Sequence, residues 1–271
     1  MKKIVSIFLS ILCCFSFLNL SIHANRDFPQ LRSDHAIVIN LNEDRALYEK
    51  ASDQRIYPAS MTKIMTTLVA IENIEDLNAT YTFNNDFFPY LLEQDASVAG
   101  FQPGQTVSMQ DLLYGILLPS GADATLAVAN ALFGSEDAFV EKMNKKAKKL
   151  GLNATHFMNT SGLHDDNHYS TVSDIATVLK YALKNETFKT IFTTSNYVTS
   201  DGSLIFISTV FKQGYSISQD TSMILGGKTG FTNEASLCLA SYAKQGEDEF
   251  IMVSAQTHSD SSYPYHVEDA G

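Results

Sequence analysis

Hydrophobic and polar positions along this chain fall into distinct regimes. Residues 4–20 are almost continuously apolar; Lys2 and Lys3 precede them, and the small and polar residues Ser21 to Asn25 follow. That order reads as a secretory signal cleaved after Ala24, or as an uncleaved N-terminal anchor, since the apolar run falls just short of a full membrane span. Residues 25–33 form a short leader. From residue 34 the pattern becomes that of a folded domain, without a repeat, low-complexity tract or linker. One domain over 34–271 is expected.

Within that domain the period changes twice. Residues 36–41 and 46–48 read as strands joined by the polar turn 42–45. Pro58 opens a helix to about residue 73, with Ile64, Leu68 and Ile71 at helical spacing. Further helices are predicted over 111–118, 122–132, 135–150 and 173–183. Ser135 and Ser173 serve as N-caps, and Gly134 and Gly151 as stops. Strands return at 203–209, 222–227, 236–242 and 250–256, with turns at Gly214 and Gln245-Gly246. Strands, then a helical block, then strands predict an α+β fold. Its first and last strands share an antiparallel sheet flanked by helices, and the helical block is an insertion.

Composition narrows the function. The 271 residues are 45% hydrophobic and 18% charged, enough for a sizeable core without covalent staples. Nineteen basic residues face thirty acidic ones, a net charge of −11, which argues against binding nucleic acid or docking on anionic lipid through a basic patch. Membrane attachment is therefore expected only through an uncleaved N-terminus. Cys13 and Cys14 lie in the apolar N-terminus, which leaves Cys238 alone: it can form no internal disulfide and reads as a buried strand residue. Leu12 is not the small residue a lipoprotein signal needs before Cys13. The signal places the rest of the chain outside the cytoplasm.

Three short segments carry the chemistry: Ser60-Met-Thr-Lys63, Ser120-Gly-Ala122 and Lys228-Thr-Gly230. If Pro58 starts the helix, Ser60 lies in its first turn, where free N–H groups and the positive dipole end favour a developing alkoxide. Lys63, three residues on, rises on the same face and can take the hydroxyl proton if burial or a nearby cation lowers its pKa. Ser120 sits at an interhelical turn, as a proton relay or as a plain N-cap. Lys228 and Thr229 lie on a strand with glycines on either side, where a substrate backbone could add to the strand edge. There Lys228 could hold a carboxylate or lower a neighbouring pKa, and Thr229 could donate to the same carboxylate. Singly, each segment is weak; their order and spacing make the set specific.

In that order the segments resemble the penicillin-recognising serine enzymes, and most closely the low-molecular-mass D-alanyl-D-alanine carboxypeptidases. The resemblance runs through Leu47-Tyr-Glu-Lys50, Tyr57 to Met65, Gly151 to Phe157, Ser161-Gly-Leu-His164, Tyr169-Ser-Thr171 and Gly227 to Thr232. It implies a β-lactamase/transpeptidase-like fold, with Ser60 as acylated nucleophile, Lys63 as base and Ser120 as proton relay. It also implies Lys228 and Thr229 at the substrate carboxylate, Gly230 and Phe231 as further substrate-binding residues, and an oxyanion hole from the N–H groups of Ser60 and Phe231. The implied substrates are peptidoglycan stem peptides, which lose their last D-alanine. β-Lactams would be covalent inhibitors, and no metal or cofactor is expected.

The chain departs from the family pattern at three places. Ala122 stands where the family has asparagine, with Asp123 or a water expected to take over its contact. The four arginines (Arg26, Arg32, Arg45 and Arg55) all precede the nucleophile. Relatives continue with a helix and a last strand beyond residue 270. These departures leave a wall-binding protein with little turnover as an alternative, and a D,D-endopeptidase would use the same machinery. A β-lactamase is disfavoured because no Glu-x-x-Leu-Asn lies between Gly151 and Thr171. A zinc peptidase could be read from His164 and His168, but without a third ligand cluster these read as loop histidines on a polar surface.

Overall fold

The computed structural model describes residues 30–212, 223–258 and 265–270; the signal segment, most of the leader and the Gly214 turn lie outside them. β1 (Ser33–Asn40) and β2 (Arg45–Lys50) pair antiparallel, as the alternation over 36–48 predicts. Pro58 then begins not an α-helix but a 3-10 turn, Ala59–Met61, from which α1 (Thr62–Ile71) continues. Residues 62–70 of α1 are all buried, because α3, α4, α5, α6 and α7 surround this helix. A helix enclosed on every side has no solvent face, and its apolar periodicity is correspondingly weak.

The chain next makes β3 (Thr80–Thr82), α2 (Phe88–Glu93) and β4 (Thr106–Ser108), none of which the sequence pattern signals. α3 (Met109–Leu117) starts at a capping box in which Ser108 and Asp111 bond each other's backbone. α4 (Ala122–Phe133) ends at Gly134, whose φ of 80° needs a residue without Cβ. α5 (Glu136–Lys149) starts on Ser135, as expected. α6 (Val172–Ala182) starts one residue earlier than predicted, and its cap lies two residues earlier: the Thr171 side chain, not Ser173, accepts from Asp174 N. α7 (Glu186–Phe192) is an unpredicted helix capped by Asn185.

The predicted strand over 203–209 shrinks to β6 (Ile205–Ile207). It pairs with β5 (Asn196–Val198) in a separate two-stranded sheet rather than joining the main one. The next strand is shifted the other way. β7 (Ile224–Thr232) runs through the whole Lys228-Thr-Gly230 segment, followed by β8 (Ser236–Gln245) and β9 (Asp248–Thr257). The main sheet has the order β2-β1-β9-β8-β7, all antiparallel, so the first and last long strands are neighbours as expected and β7 is an edge. Alternation divides β8 between its two faces. Cys238, Ala240 and Tyr242 enter the main core under the helices, whereas Leu239 packs with Val210, Ile224 and Val267 in a second cluster. Val267 belongs to the short α8 (Tyr265–Glu268), and Asp269 beside it accepts from the backbone N–H groups of Arg32 and Ser33. No described helix is long and apolar enough to cross a membrane.

Candidate active site

Ser60 sits in the 3-10 turn just ahead of α1, half-buried, and Lys63 lies one turn further on at 2% exposure. The Lys63 Nζ is 3.0 Å from Ser60 Oγ and donates to the Ser161 carbonyl at 2.6 Å. Burial pushes this amine down to about 7, against the opposing pull of Asp123 and Glu136. A neutral amine has two N–H donors and one lone pair. With a donor spent on Ser161, the lone pair can face the Ser60 hydroxyl and take its proton. Ala59, immediately before the nucleophile, holds φ 45°, a left-handed conformation costly for a residue with Cβ.

The loop that supplies the Ser161 carbonyl is itself tightly tied. Asn159 Oδ1 accepts from Ser161 N and Gly162 N, and its Nδ2 donates to Leu163 O. Gly162 holds φ 84°, and a Cβ there would stand 1.9 Å from Ala59 O. Only glycine lets this loop lie against the nucleophile turn.

The other two segments converge on the same turn from β7 and from the α3–α4 connection. A Cβ on Gly230 would stand 3.0 Å from Ser60 N, so bare backbone of the edge strand lies against the nucleophile. Thr229 Oγ1 donates to Thr209 Oγ1, and Thr209 N donates to Leu118 O, which ties β7 to the turn where Ser120 sits buried at φ 69°. Lys228 is fully buried and donates to Thr229 O; burial and the nearby Lys63 amine push it well below its ordinary value. Buried and donating to Thr229 O, Lys228 is not exposed for direct grip on a carboxylate, the first of the two roles the sequence offers it.

In front of these groups opens a cleft of about 480 Å³ lined by Ser60, Lys63, Ala122, Ser161 and Phe231, among others. Phe231 is 60% exposed, presenting a large apolar side chain at its lip. Ala122 forms part of the opposite wall, and Asp123 does not replace the missing carboxamide. Its carboxylate is withdrawn from solvent and accepts from Ala99 N, Gly100 N, Phe101 N and Ala124 N, which fixes the 99–101 loop to the start of α4. The expectation for Asp123 is thus corrected: its lone pairs are committed to backbone.

The histidines are corrected too. His164 lines the cleft, edge-on to Tyr57, but His168 is buried at 2% exposure rather than set on a polar surface. Among the described residues no group of three His, Cys, Asp or Glu side chains could hold a metal. Cys238 lies buried in β8 as predicted, its thiol pushed up to about 12 by burial.

Residues 22–258 match the D-alanyl-D-alanine carboxypeptidase family. The chain belongs to that family. It is 36% identical over 221 residues to D-alanyl-D-alanine carboxypeptidase DacF of Bacillus subtilis, covering 80% of this chain and 56% of that protein. To a D-alanyl-D-alanine carboxypeptidase of a Streptomyces species it is 34% identical over 229 residues, with 80% and 78% covered. The crystal structure of a Streptomyces DD-transpeptidase superposes with a TM-score of 0.79 at 31% identity, over 89% of this chain and 96% of that one. The chain thus spans little more than half the length of the Bacillus relative. The carboxypeptidase fold is an antiparallel sheet with helices, as seen here.

Sequence reasoning missed Asn159 and Gly162 as parts of the site and placed His168 wrongly. Gly162 lies within the 161–164 segment that carries the resemblance, whereas Asn159 and His168 fall just outside the segments it runs through. Nothing in the spacing tells which polar side chains turn inward.

Proposed function

We propose that this chain is a serine D-alanyl-D-alanine carboxypeptidase that trims the terminal D-alanine from peptidoglycan stem peptides outside the cytoplasm. The observation that carries this reading is the buried Lys63 amine, lowered to about 7 and 3.0 Å from Ser60 Oγ. At neutral pH a large fraction of that amine is unprotonated and able to act as base. Ser60 Oγ attacks the carbonyl of the penultimate D-alanine while Lys63 takes its proton. The N–H groups of Ser60 and Phe231 receive the negative charge on the carbonyl oxygen. The C–N bond then breaks, the leaving amine takes a proton relayed through Ser120, and water hydrolyses the Ser60 ester. The substrate backbone adds to the outer edge of β7, and the Thr229 hydroxyl turns from Thr209 to donate to its terminal carboxylate.

β-Lactams would acylate the same serine. The test is to incubate residues 25–271 with a fluorescent penicillin and read intact mass, with Ser60→Ala as control, while a parallel sample with pentapeptide is monitored for D-alanine. A stable adduct on wild type alone, with D-alanine released, supports the reading; no adduct on a folded sample refutes it. Ala122 favours one second reading, a wall-peptide binder with little turnover, which would form the adduct without releasing D-alanine. Release from cross-linked dimers but not from pentapeptide would instead mark a D,D-endopeptidase.

A further inference from the structure

His168 takes no part in the reaction steps above, yet it is a buried polar side chain bonded to the residue next to Lys63. Its ring is 2% exposed and packs edge-on against Phe157, with centroids 5.6 Å apart. Nδ1 accepts from Met158 N at 3.3 Å, which leaves the proton on Nε2, and Nε2 donates to Thr62 Oγ1 at 2.8 Å. Burial holds this imidazole neutral, down to about 4, in the presence of Asp165, His156, His164 and Lys63.

Both partners matter for Lys63. Thr62 is the junction of the nucleophile turn and α1: its N–H donates back to Ala59 O and Ser60 O. Met158 begins the loop that three residues later carries the Ser161 carbonyl on which Lys63 rests. The imidazole therefore bridges the two segments between which the lysine is held.

We infer that His168 is a positioning residue: by bonding Thr62 on one side and Met158 on the other, it holds the Ser161 loop against the nucleophile turn and keeps water from the Lys63 amine. The inference rests on the proposed role of Lys63 as base, but it makes a claim about the ionisation of that lysine that can be read without turnover. Asp123, Glu136 and Lys228 are the charged groups that also act on or near Lys63, and none is altered by the test.

The experiment follows the ¹³Cε shift of Lys63 and the rate of penicillin acylation against pH, in wild type and variants. His168→Phe keeps the ring volume and removes both hydrogen bonds. It is expected to move the Lys63 midpoint upward from about 7 by roughly one unit and to slow acylation by about a hundredfold. Thr62→Val should do the same, and His168→Gln, which can still donate toward Thr62, should recover much of the loss. Phe157→Leu loosens the same packing without touching either bond, and should lower the melting temperature while leaving the midpoint near 7. The inference is overturned if His168→Phe keeps both midpoint and rate, or if Phe157→Leu moves the midpoint equally. Should His168→Phe not fold, Thr62→Val decides. A wild type that forms no adduct would refute the role of Ser60, while the shift titration would still report on His168.

Discussion

The two walls of the cleft are built to different standards. On one side the 158–168 loop and β7 close on the nucleophile turn through the Ser161 carbonyl, the Asn159 carboxamide, Gly162, Gly230 and His168. On the other, Gln94, Asp95, Ala96, Ser97 and Ala122 line the cleft, and the Asp123 carboxylate next to Ala122 has turned away to bind backbone. The first wall is tied to the Ser60 turn by several hydrogen bonds and close backbone contacts, whereas the second carries no carboxamide at Ala122. If the proposed reaction holds, substitutions in the two walls should separate acylation from substrate discrimination.

Changes to the ordered wall should be severe. Ser60→Ala is expected to abolish both the penicillin adduct and D-alanine release, read by intact mass. Lys63→Met should lower the acylation rate by about a hundredfold to ten-thousandfold. In wild type that rate should climb as pH rises through about 7, because the amine must lose its proton to serve as base. A pH-independent rate between 5 and 9 would show that another group takes the proton. Gly162→Ala adds a Cβ 1.9 Å from Ala59 O at φ 84°. Its backbone strain should cost roughly 1–3 kcal/mol, seen as a lower melting temperature together with slower acylation.

Changes to the second wall should be gentler and opposite in sign. Ala122→Asn supplies the absent carboxamide. It should raise kcat/KM for pentapeptide about tenfold through one added hydrogen bond, with little change in penicillin acylation. Equal gains on both substrates would erase the distinction between the walls. The smallest effect is expected at Cys238, whose buried thiol at about 12 should resist alkylation in the folded protein and react only after unfolding.

Much of this could be read before folding was considered. Alternation over 36–48 and 236–256 placed β1, β2, β8 and β9, and Ser135 and Gly134 marked real helix ends. The short pieces β3, α2, β4 and β5 escaped because three to six residues carry too little periodicity to register. The strand over 203–209 was overextended because exposed Ile205 and Ile207 look like core residues until the partner strand is known. Ser173 was chosen as a cap over Thr171 because both residue types suit the position and only backbone geometry separates them.

Residue chemistry and local spacing were enough to establish the sheet's flanking strands, the candidate serine with its lysine one helical turn away, and the family to which the chain belongs. These depend on interactions within a few residues or on patterns of fixed period. Tertiary packing alone decided that Lys63 is dry enough to lose its proton near neutrality and that Lys228 sits behind the wall. Packing also committed Asp123 to backbone and turned His168 inward. Desolvation and the allotment of hydrogen-bond partners are set by groups distant in the chain, such as Ser161 for Lys63 and Thr62 for His168, 98 and 106 residues apart. No local pattern encodes them.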